Sequence, residues 1–180
     1  MADTFLDIVN ENDEVIGQAL RSEIHAKGLW HREAGVYFVT PKGEAIFQIR
    51  GANVERNANK ASATAAGHVE QGMNYEETAL AEMLEETGVQ ASLEELHYIY
   101  SEASDKSDGQ HINRALRKVF VYIYKGKIED LKVEDSFGAG FIACPIEKLL
   151  HPTDDIDMRL KKYTDPRYHE MYQKILELVR

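Results

Sequence analysis

The chain has 180 residues, of which 43 % are hydrophobic and 29 % charged, and its formal net charge is −10 at pH 7. This length and composition are typical of one folded domain with a substantial core. The negative charge argues against non-specific binding to a nucleic-acid backbone, which needs basic surface. The single cysteine, Cys144, excludes an internal disulfide framework.

We expect neither a targeting signal nor a membrane span in this sequence. Its first residues, MADTFLDIVNENDE, contain no basic stretch followed by an apolar one, so we expect no secretory signal. No apolar run approaches the roughly 20 residues of a membrane span. With a lone cysteine that fits a reducing compartment, these features predict a cytoplasmic protein without membrane or nucleic-acid partners.

The N-terminal part is predicted to form two β-hairpins. Residues 4–20 contain two short apolar runs around a turn-rich segment. Residues 34–40 and 44–50 are rich in β-branched and aromatic side chains and flank a Pro-Lys-Gly turn. Residues 21–33 show no clear pattern, and the polar residues 51–65 are predicted to be a surface loop.

The central part is predicted to contain one prominent helix. Asn74 and Glu77 occupy the N-cap and reciprocal positions of a capping box, and Gly88 is suited to end the helix. Strands before and after this helix, with another helix at the end, indicate an α/β or α+β fold. The remaining predicted elements are strands at 96–100, 116–124 and 137–144, a charged loop at 101–110, and helices at 146–150 and about 166–179.

Three carboxylates, Glu82, Glu85 and Glu86, fall on one face of the predicted helix, because residues three or four apart are neighbours there. A solvated acidic face is the simplest interpretation of such a charge run. However, like charges at this spacing repel one another, and a hard cation relieves the repulsion. Mg²⁺ and Mn²⁺ take oxygen ligands and bridge substrate phosphates. The cluster therefore predicts a divalent-metal site for a phosphorylated ligand.

The segment 67–89 resembles the Nudix box, Gly-x5-Glu-x7-Arg-Glu-U-x-Glu-Glu-x-Gly-U, where U is apolar. Two positions depart from this pattern: Met73 replaces the first glutamate and Ala81 replaces the arginine. The resemblance implies a single Nudix domain over residues 1–180, an α/β/α sandwich with a mixed central sheet. The residues that match the pattern are Gly67, Glu82, Met83, Glu85, Glu86, Gly88 and Val89.

The same resemblance implies the chemistry. Glu82, Glu85 and Glu86, joined by the Gly67 carbonyl, would hold Mg²⁺, with Mn²⁺ as a substitute. Glu82 and Glu85 are the catalytic candidates, Glu85 as ligand or base. A distal acid is expected to complete the metal site, and Glu134 is preferred to Asp135, Glu102 and Asp105.

The implied reaction is the hydrolysis of a phosphoanhydride in a nucleoside diphosphate linked to another group. Basic side chains must offset the charge of such a substrate. The candidates for this contact are Arg50, Lys60 and Arg114. The partner is therefore expected to be a small nucleotide or diphosphate.

Roughly the first 90 residues also resemble the isopentenyl-diphosphate isomerase-like branch of the superfamily. Isomerases use a histidine pair, a histidine after the box glycine, a cysteine before it and downstream glutamates. His25, His31 and His68 match the histidines, but Ala66 replaces the cysteine and residues 111–117 contain no acid. Isomerisation needs a proton donor and acceptor on opposite sides of the double bond. We therefore expect a hydrolase, with structural or substrate-contacting roles for His25 and His31.

The departures at Met73 and Ala81 leave a second function open. Loss of groups that orient metal ligands typically costs about 10–100-fold in affinity or activity, which predicts a slow enzyme. The alternative is a catalytically weak or inactive Nudix-fold protein that binds a nucleotide or diphosphate. A plain acidic interaction domain would show no metal-dependent stabilisation. The tyrosine-rich C-terminal helix is compatible with packing on its own sheet or on a partner, which leaves a homodimer open.

Overall fold

A computed structural model describes residues 3–54, 57–108, 111–133 and 138–180. The chain begins with an antiparallel hairpin, β1 (Phe5–Val9) and β2 (Val15–Leu20), followed by helix α1 (Arg21–Lys27). Leu6, Ala19 and Ile24 form a small core between these elements. The hairpin and α1 thus have their own apolar contacts beside the main sheet.

In the described part of the chain, the main sheet is mixed and comprises seven strands. Its central pair, β3 and β8, is parallel, and all other pairs are antiparallel. The strand order is β5-β4-β3-β8-β7, with β6 also paired to β3 and β9 to β4. The strands are β3 (Trp30–Val39), β4 (Glu44–Arg50), β5 (Ala61–Ser62), β6 (Ala65–His68), β7 (Leu96–Asp108), β8 (His111–Ile123) and β9 (Gly138–Pro145).

Helices cover both faces of this sheet, so the architecture is the predicted α/β/α sandwich. Helix α2 (Tyr75–Thr87) packs through Ala79 and Met83 on one face. Helices α3 (Ile146–Leu150) and α4 (His169–Leu178) pack on the other face, together with a 3₁₀ helix at Met158–Thr164. Within the described residues, no helix has the length and apolar character needed to cross a membrane.

Several boundaries differ from the sequence predictions. Residues 101–110 are predicted as a loop, but β7 continues to Asp108. Residues 21–33 showed no pattern, yet they contain α1 and the start of β3. The polar segment 51–65 includes the short strand β5 and the first residue of β6. At the C-terminus a 3₁₀ turn, Pro166–Tyr168, precedes the α-helix, which starts at His169.

Helix α2 begins and ends as the sequence predicts. The Asn74 side chain accepts a hydrogen bond from the Glu77 backbone N–H at 2.8 Å, and Glu77 Oε2 accepts one from the Asn74 backbone N–H at 3.0 Å. Gly88, with φ of 71°, ends the helix in the left-handed conformation that glycine adopts without strain. These caps fix where the acidic face of α2 starts and stops.

The cap gives a first testable prediction. Replacing Asn74 by alanine removes the acceptor for the Glu77 N–H, so we expect the free energy of unfolding to fall by about 1 kcal/mol. Urea denaturation followed by circular dichroism measures this change. An unchanged midpoint would show that the cap does not stabilise α2.

Candidate functional site

Glu82 lies directly against the backbone of Gly67, where β6 passes α2. A Cβ atom built on Gly67 would lie 1.7 Å from Glu82 Oε1. No side chain larger than hydrogen therefore fits at residue 67 while Glu82 keeps its position. The close approach brings the backbone of strand β6 beside a carboxylate of α2, and these are two groups that the resemblance implies as metal ligands.

Glu86 is held by a donor that the sequence prediction did not include. Gln48 Nε2, on β4, donates a hydrogen bond to Glu86 Oε2 at 3.2 Å. Gln48 is only 3 % exposed, so its amide is fixed in the protein interior. The sequence signal is one amide side chain within the apolar middle of strand β4. The structure thus supplies a neutral donor to the acidic cluster although Ala81 replaces the box arginine.

The acidic cluster combines fixed and accessible carboxylates. Glu82 and Glu86 are half-buried, whereas Glu85 is exposed on the same helix. A set of carboxylates with a nearby backbone suits a hard cation such as Mg²⁺ or Mn²⁺ better than a soft one. The donor chemistry therefore fits the predicted divalent metal.

The two departures from the box have different surroundings. Met73 is half-buried and packs against the core under α2. Ala81 is half-buried on α2 itself. An apolar side chain at residue 73 thus adds to the packing of the loop before α2, at the position where the family pattern has a carboxylate.

The proposed distal acids lie in two different situations. Glu134 and Asp135 fall outside the described residues. Glu102 and Asp105 are on β7 rather than in a loop, and both form ion pairs across to β8. Glu102 Oε1 lies 3.3 Å from Arg117 Nη1, and Asp105 Oδ2 lies 3.1 Å from Arg114 Nε. These pairs link the two strands of the β7–β8 hairpin.

The structure brings two of the predicted phosphate contacts together. Arg50 and Lys60 are neighbours, because the Arg50 backbone N–H donates to the Lys60 carbonyl at 3.0 Å. Arg114, in contrast, lies on β8, where it contacts Asp105 and donates to the Gly28 carbonyl at 3.4 Å. Arg114 is therefore engaged in the β7–β8 hairpin.

Lys162, on the 3₁₀ helix before α4, is a basic residue that the sequence prediction missed. Its Nζ lies 4.6 Å from the centre of the Tyr163 ring. Desolvation lowers the pKa of this amine to about 8, and nearby positive charges add to the effect. Those charges are, in order of effect, Lys106, Arg117, Lys60 and Arg50. A cluster of cations with this mutual repulsion is a suitable site for an anionic ligand.

The three histidines predicted from the isomerase resemblance lie together. The ring centroids of His25 and His68 are 5.0 Å apart, and those of His31 and His68 are 5.1 Å apart. Ala66, two residues before His68, has no ionisable side chain that could act as the isomerase cysteine. The histidines are thus present without that partner.

Comparison with known proteins places these features in one family. Residues 29–173 match the model of the NUDIX domain. An uncharacterised Nudix hydrolase of Clostridium acetobutylicum is 29 % identical over 158 residues, covering 86 % of this chain and 76 % of the relative. An isopentenyl-diphosphate Δ-isomerase of Photorhabdus laumondii is 30 % identical over 99 residues, about half of each chain (54 % and 56 %). A crystal structure of a Deinococcus radiodurans protein superposes with a TM-score of 0.64 at 23 % identity, covering 82 % of this chain and 86 % of that one.

Proposed function

We propose that this chain, which belongs to the NUDIX domain family, is a hydrolase. Its substrate would be a nucleoside diphosphate linked to a second group, and the bond cleaved would be a phosphoanhydride. The family acts on phosphorus-containing anhydrides, which gives the class of reaction. The observation that carries the proposal is the fixed pair of carboxylates, with Glu82 against Gly67 and Glu86 hydrogen-bonded to Gln48.

The proposed metal ligands are Glu82, Glu85, Glu86 and the Gly67 backbone, with Glu134 as a further predicted ligand. When bound, Mg²⁺ supplies Lewis acidity for the phosphoryl group and positive charge that offsets the charge of the transition state. Glu82 and Glu86 are oriented before substrate arrives, which reduces the reorganisation needed for the reaction. Glu85, which is exposed, is proposed as a further ligand or as the base that accepts a proton from the attacking water.

The proposed substrate contacts are Arg50, Lys60 and Lys162. Their shared neighbourhood supports a role in binding the charged part of the substrate, since the positive charges around Lys162 favour an anion there. Arg114, which is paired with Asp105, would need to exchange that partner to reach a phosphate. Its role in substrate binding stays a prediction.

The direct test is product analysis with a panel of nucleoside diphosphate derivatives, with Mg²⁺, with Mn²⁺ and with a chelator. We expect metal-dependent release of a mononucleotide and a second phosphorylated product. Metal-dependent binding of a panel member without any turnover would instead support the alternative function, a nucleotide- or diphosphate-binding Nudix protein.

Gln48 provides a test of how the acidic cluster works without the box arginine. Replacing Gln48 by leucine removes the donor to Glu86, and we expect Mn²⁺ affinity or kcat to fall by about 10–100-fold. Mn²⁺ binding followed by electron paramagnetic resonance gives the affinity. The variant Gln48→Glu, which adds a like charge beside Glu86, should be at least as impaired. Unchanged metal binding in both variants would rule out this orienting role.

Lys162 provides a test of the substrate contact. Its amine is charged below its pKa of about 8, so its attraction for a phosphate is lost as the pH rises through that value. We expect KM to rise above pH 8 in the wild type, and Lys162→Gln to have a high KM at lower pH as well, with kcat little changed. The neighbouring Lys161→Gln is the control. Equal KM values for both variants would exclude a specific contact by Lys162.

A further inference from the structure

Strand β7 forms an open edge of the main sheet. Its inner side pairs with β8, and among the residues that the structure describes no strand pairs with its outer side. The strand has 13 residues, whereas strands usually have about 5–6. The other outer strands, β5, β6 and β9, are shorter. A long edge presents a row of backbone N–H and C=O groups that can pair with another chain.

Only the first part of this edge is protected. Lys174 Nζ, on α4, donates a hydrogen bond to the Ile99 carbonyl at 3.5 Å, next to a bulge between Tyr98 and Tyr100. Bulges and lysine side chains are common means of preventing pairing at sheet edges. After the bulge, β7 follows β8 in regular register. The rest of the edge, residues 101–107, is therefore open to a partner strand.

The charges on the open edge, residues 101–107, complement themselves. Glu102, Ser104 and Lys106 alternate along β7 and so lie on one face. If two copies pair antiparallel about Ser104, Glu102 of each lies opposite Lys106 of the other, because both are two residues from the axis. Opposite charges at such positions stabilise a strand pair, and like charges destabilise it. An axis at Ala103 would oppose no charged pair, and one at Asp105 would oppose two aspartates.

Ser104, on this axis, has a buried hydroxyl group without a partner. The residue is only 6 % exposed, and no hydrogen bond to its Oγ atom is formed by any residue in the described part of the chain. A buried polar group in this state costs free energy. Residues directly opposite in an antiparallel pair have Cβ atoms about 4.5–5.5 Å apart. Rotation about χ1 would thus let the two Ser104 hydroxyls of a pair hydrogen-bond to each other.

Glu102 is oriented for a second ion pair. Its Oε1 lies 3.3 Å from Arg117 Nη1 within the hairpin, yet 38 % of its side chain is exposed. A carboxylate has about four acceptor positions, so the contact with Arg117 leaves room for an ammonium group from the outer side. A lysine of a second copy would therefore meet a carboxylate that is already held in place.

We propose that two copies of this chain form a homodimer by antiparallel pairing of their β7 edges, with the two-fold axis at Ser104. The pairing joins the two main sheets into one continuous sheet. It is closed, because the same edge of each copy is used and no second free surface is needed to complete it. Lys106 is also near enough to Lys162 to influence its charge, so the interface would border the proposed substrate contacts.

The first test is analytical ultracentrifugation of the purified full chain over a range of concentrations. We expect a reversible monomer–dimer equilibrium. Lys106→Glu opposes two like-charged pairs in each dimer, so its dissociation constant should rise by about 10-fold or more. Lys42→Glu makes the same change of charge at an exposed residue in the β3–β4 turn, and its dissociation constant should stay that of the wild type.

Mixing two variants tests the pairing itself. Glu102→Lys should weaken the dimer as Lys106→Glu does, because it opposes two lysines. In an equimolar mixture, each heterodimer again has two pairs of opposite charges. We therefore expect the mixture to form dimers at concentrations where each variant alone is monomeric. This reciprocal rescue is specific to a pairing that places residues 102 and 106 opposite each other.

Cysteine substitutions locate the axis. In Ser104→Cys the two new residues lie opposite each other, with Cα atoms about 4.5–5.5 Å apart, which suits a disulfide. In the control Ser107→Cys, each residue is three positions from the axis, so the two copies are about 20 Å apart. Mild oxidation should cross-link Ser104→Cys and not the more exposed Ser107→Cys. The native Cys144 is buried.

Three results would overturn the proposal: a wild type that stays monomeric at every concentration, a dimer that Lys106→Glu leaves unchanged, or equal cross-linking of the two cysteine variants. The last two would place the interface elsewhere on the chain. If Glu102→Lys fails to fold, the wild type, Lys106→Glu and the cysteine variants still decide. None of these readouts depends on hydrolase activity.

Discussion

Replacing Glu86 by glutamine should lower kcat for the hydrolysed substrate by at least about 100-fold, because a lost metal ligand should cost more than the roughly 10–100-fold typical of a lost orienting group. The substitution keeps the size of the side chain and its contact with Gln48 Nε2, but it removes the negative charge. Metal-dependent turnover and Mn²⁺ affinity, measured on the same samples, should fall together.

The matched control for this prediction is Glu76→Gln. Glu76 lies on the same helix, and its carboxylate contacts Lys118 at 3.6 Å on a partly exposed surface. Such pairs contribute little to stability, so activity and metal affinity should stay near wild type. If both substitutions reduced turnover equally, the general negative charge of α2, rather than a ligand at residue 86, would be responsible.

The second large effect is expected for Gly67→Ala. The new Cβ would overlap Glu82 Oε1, 1.7 Å away, so either the carboxylate or the strand must move. All the atoms it would meet belong to the carboxylate end of the half-buried Glu82, which can turn aside, so we expect stability to change little and metal binding to weaken strongly. Mn²⁺ titration measures the loss of affinity, and urea denaturation shows that the variant is still folded.

Gly17→Ala is the control for this change. A Cβ atom at Gly17 would meet only Ile8 Cδ1, at the ordinary contact distance of 3.6 Å. We therefore expect its metal affinity to remain that of the wild type. Wild-type metal affinity in Gly67→Ala would mean that Glu82 does not need its position against the β6 backbone to bind the ion.

The sequence predicted the parts of the fold that depend on local chemistry. The capping box of Asn74 and Glu77, and the end of α2 at Gly88, follow from side-chain and backbone hydrogen bonds within a few residues. The proximity of Gly67 and Glu82 was implied by the resemblance to the Nudix box, whereas the strand that carries Gly67 was not predicted. The NUDIX domain match then confirmed the predicted family.

Long-range contacts account for what the sequence did not reveal. The charged segment after Tyr100 resembles a loop, but its acids pair with arginines on β8 and so belong to a strand, as the Glu102–Arg117 pair shows. Lys162 is distant in sequence from Lys60 and Arg50, yet their positive charges act on its amine in the folded protein. The role of Gln48 as a donor to Glu86 becomes evident only from the structure, in which β4 lies beside α2. None of these pairings leaves a local pattern.

The most direct test of the central claim is hydrolysis in ¹⁸O-labelled water with Mg²⁺. If water attacks a phosphoanhydride phosphorus at the α2 carboxylates, one phosphorylated product of a nucleoside diphosphate derivative carries the label, and Glu86→Gln does not form it. A wild-type protein that binds Mn²⁺ and nucleotide but forms no labelled product from any member of the panel would contradict the assignment as a hydrolase of this substrate class.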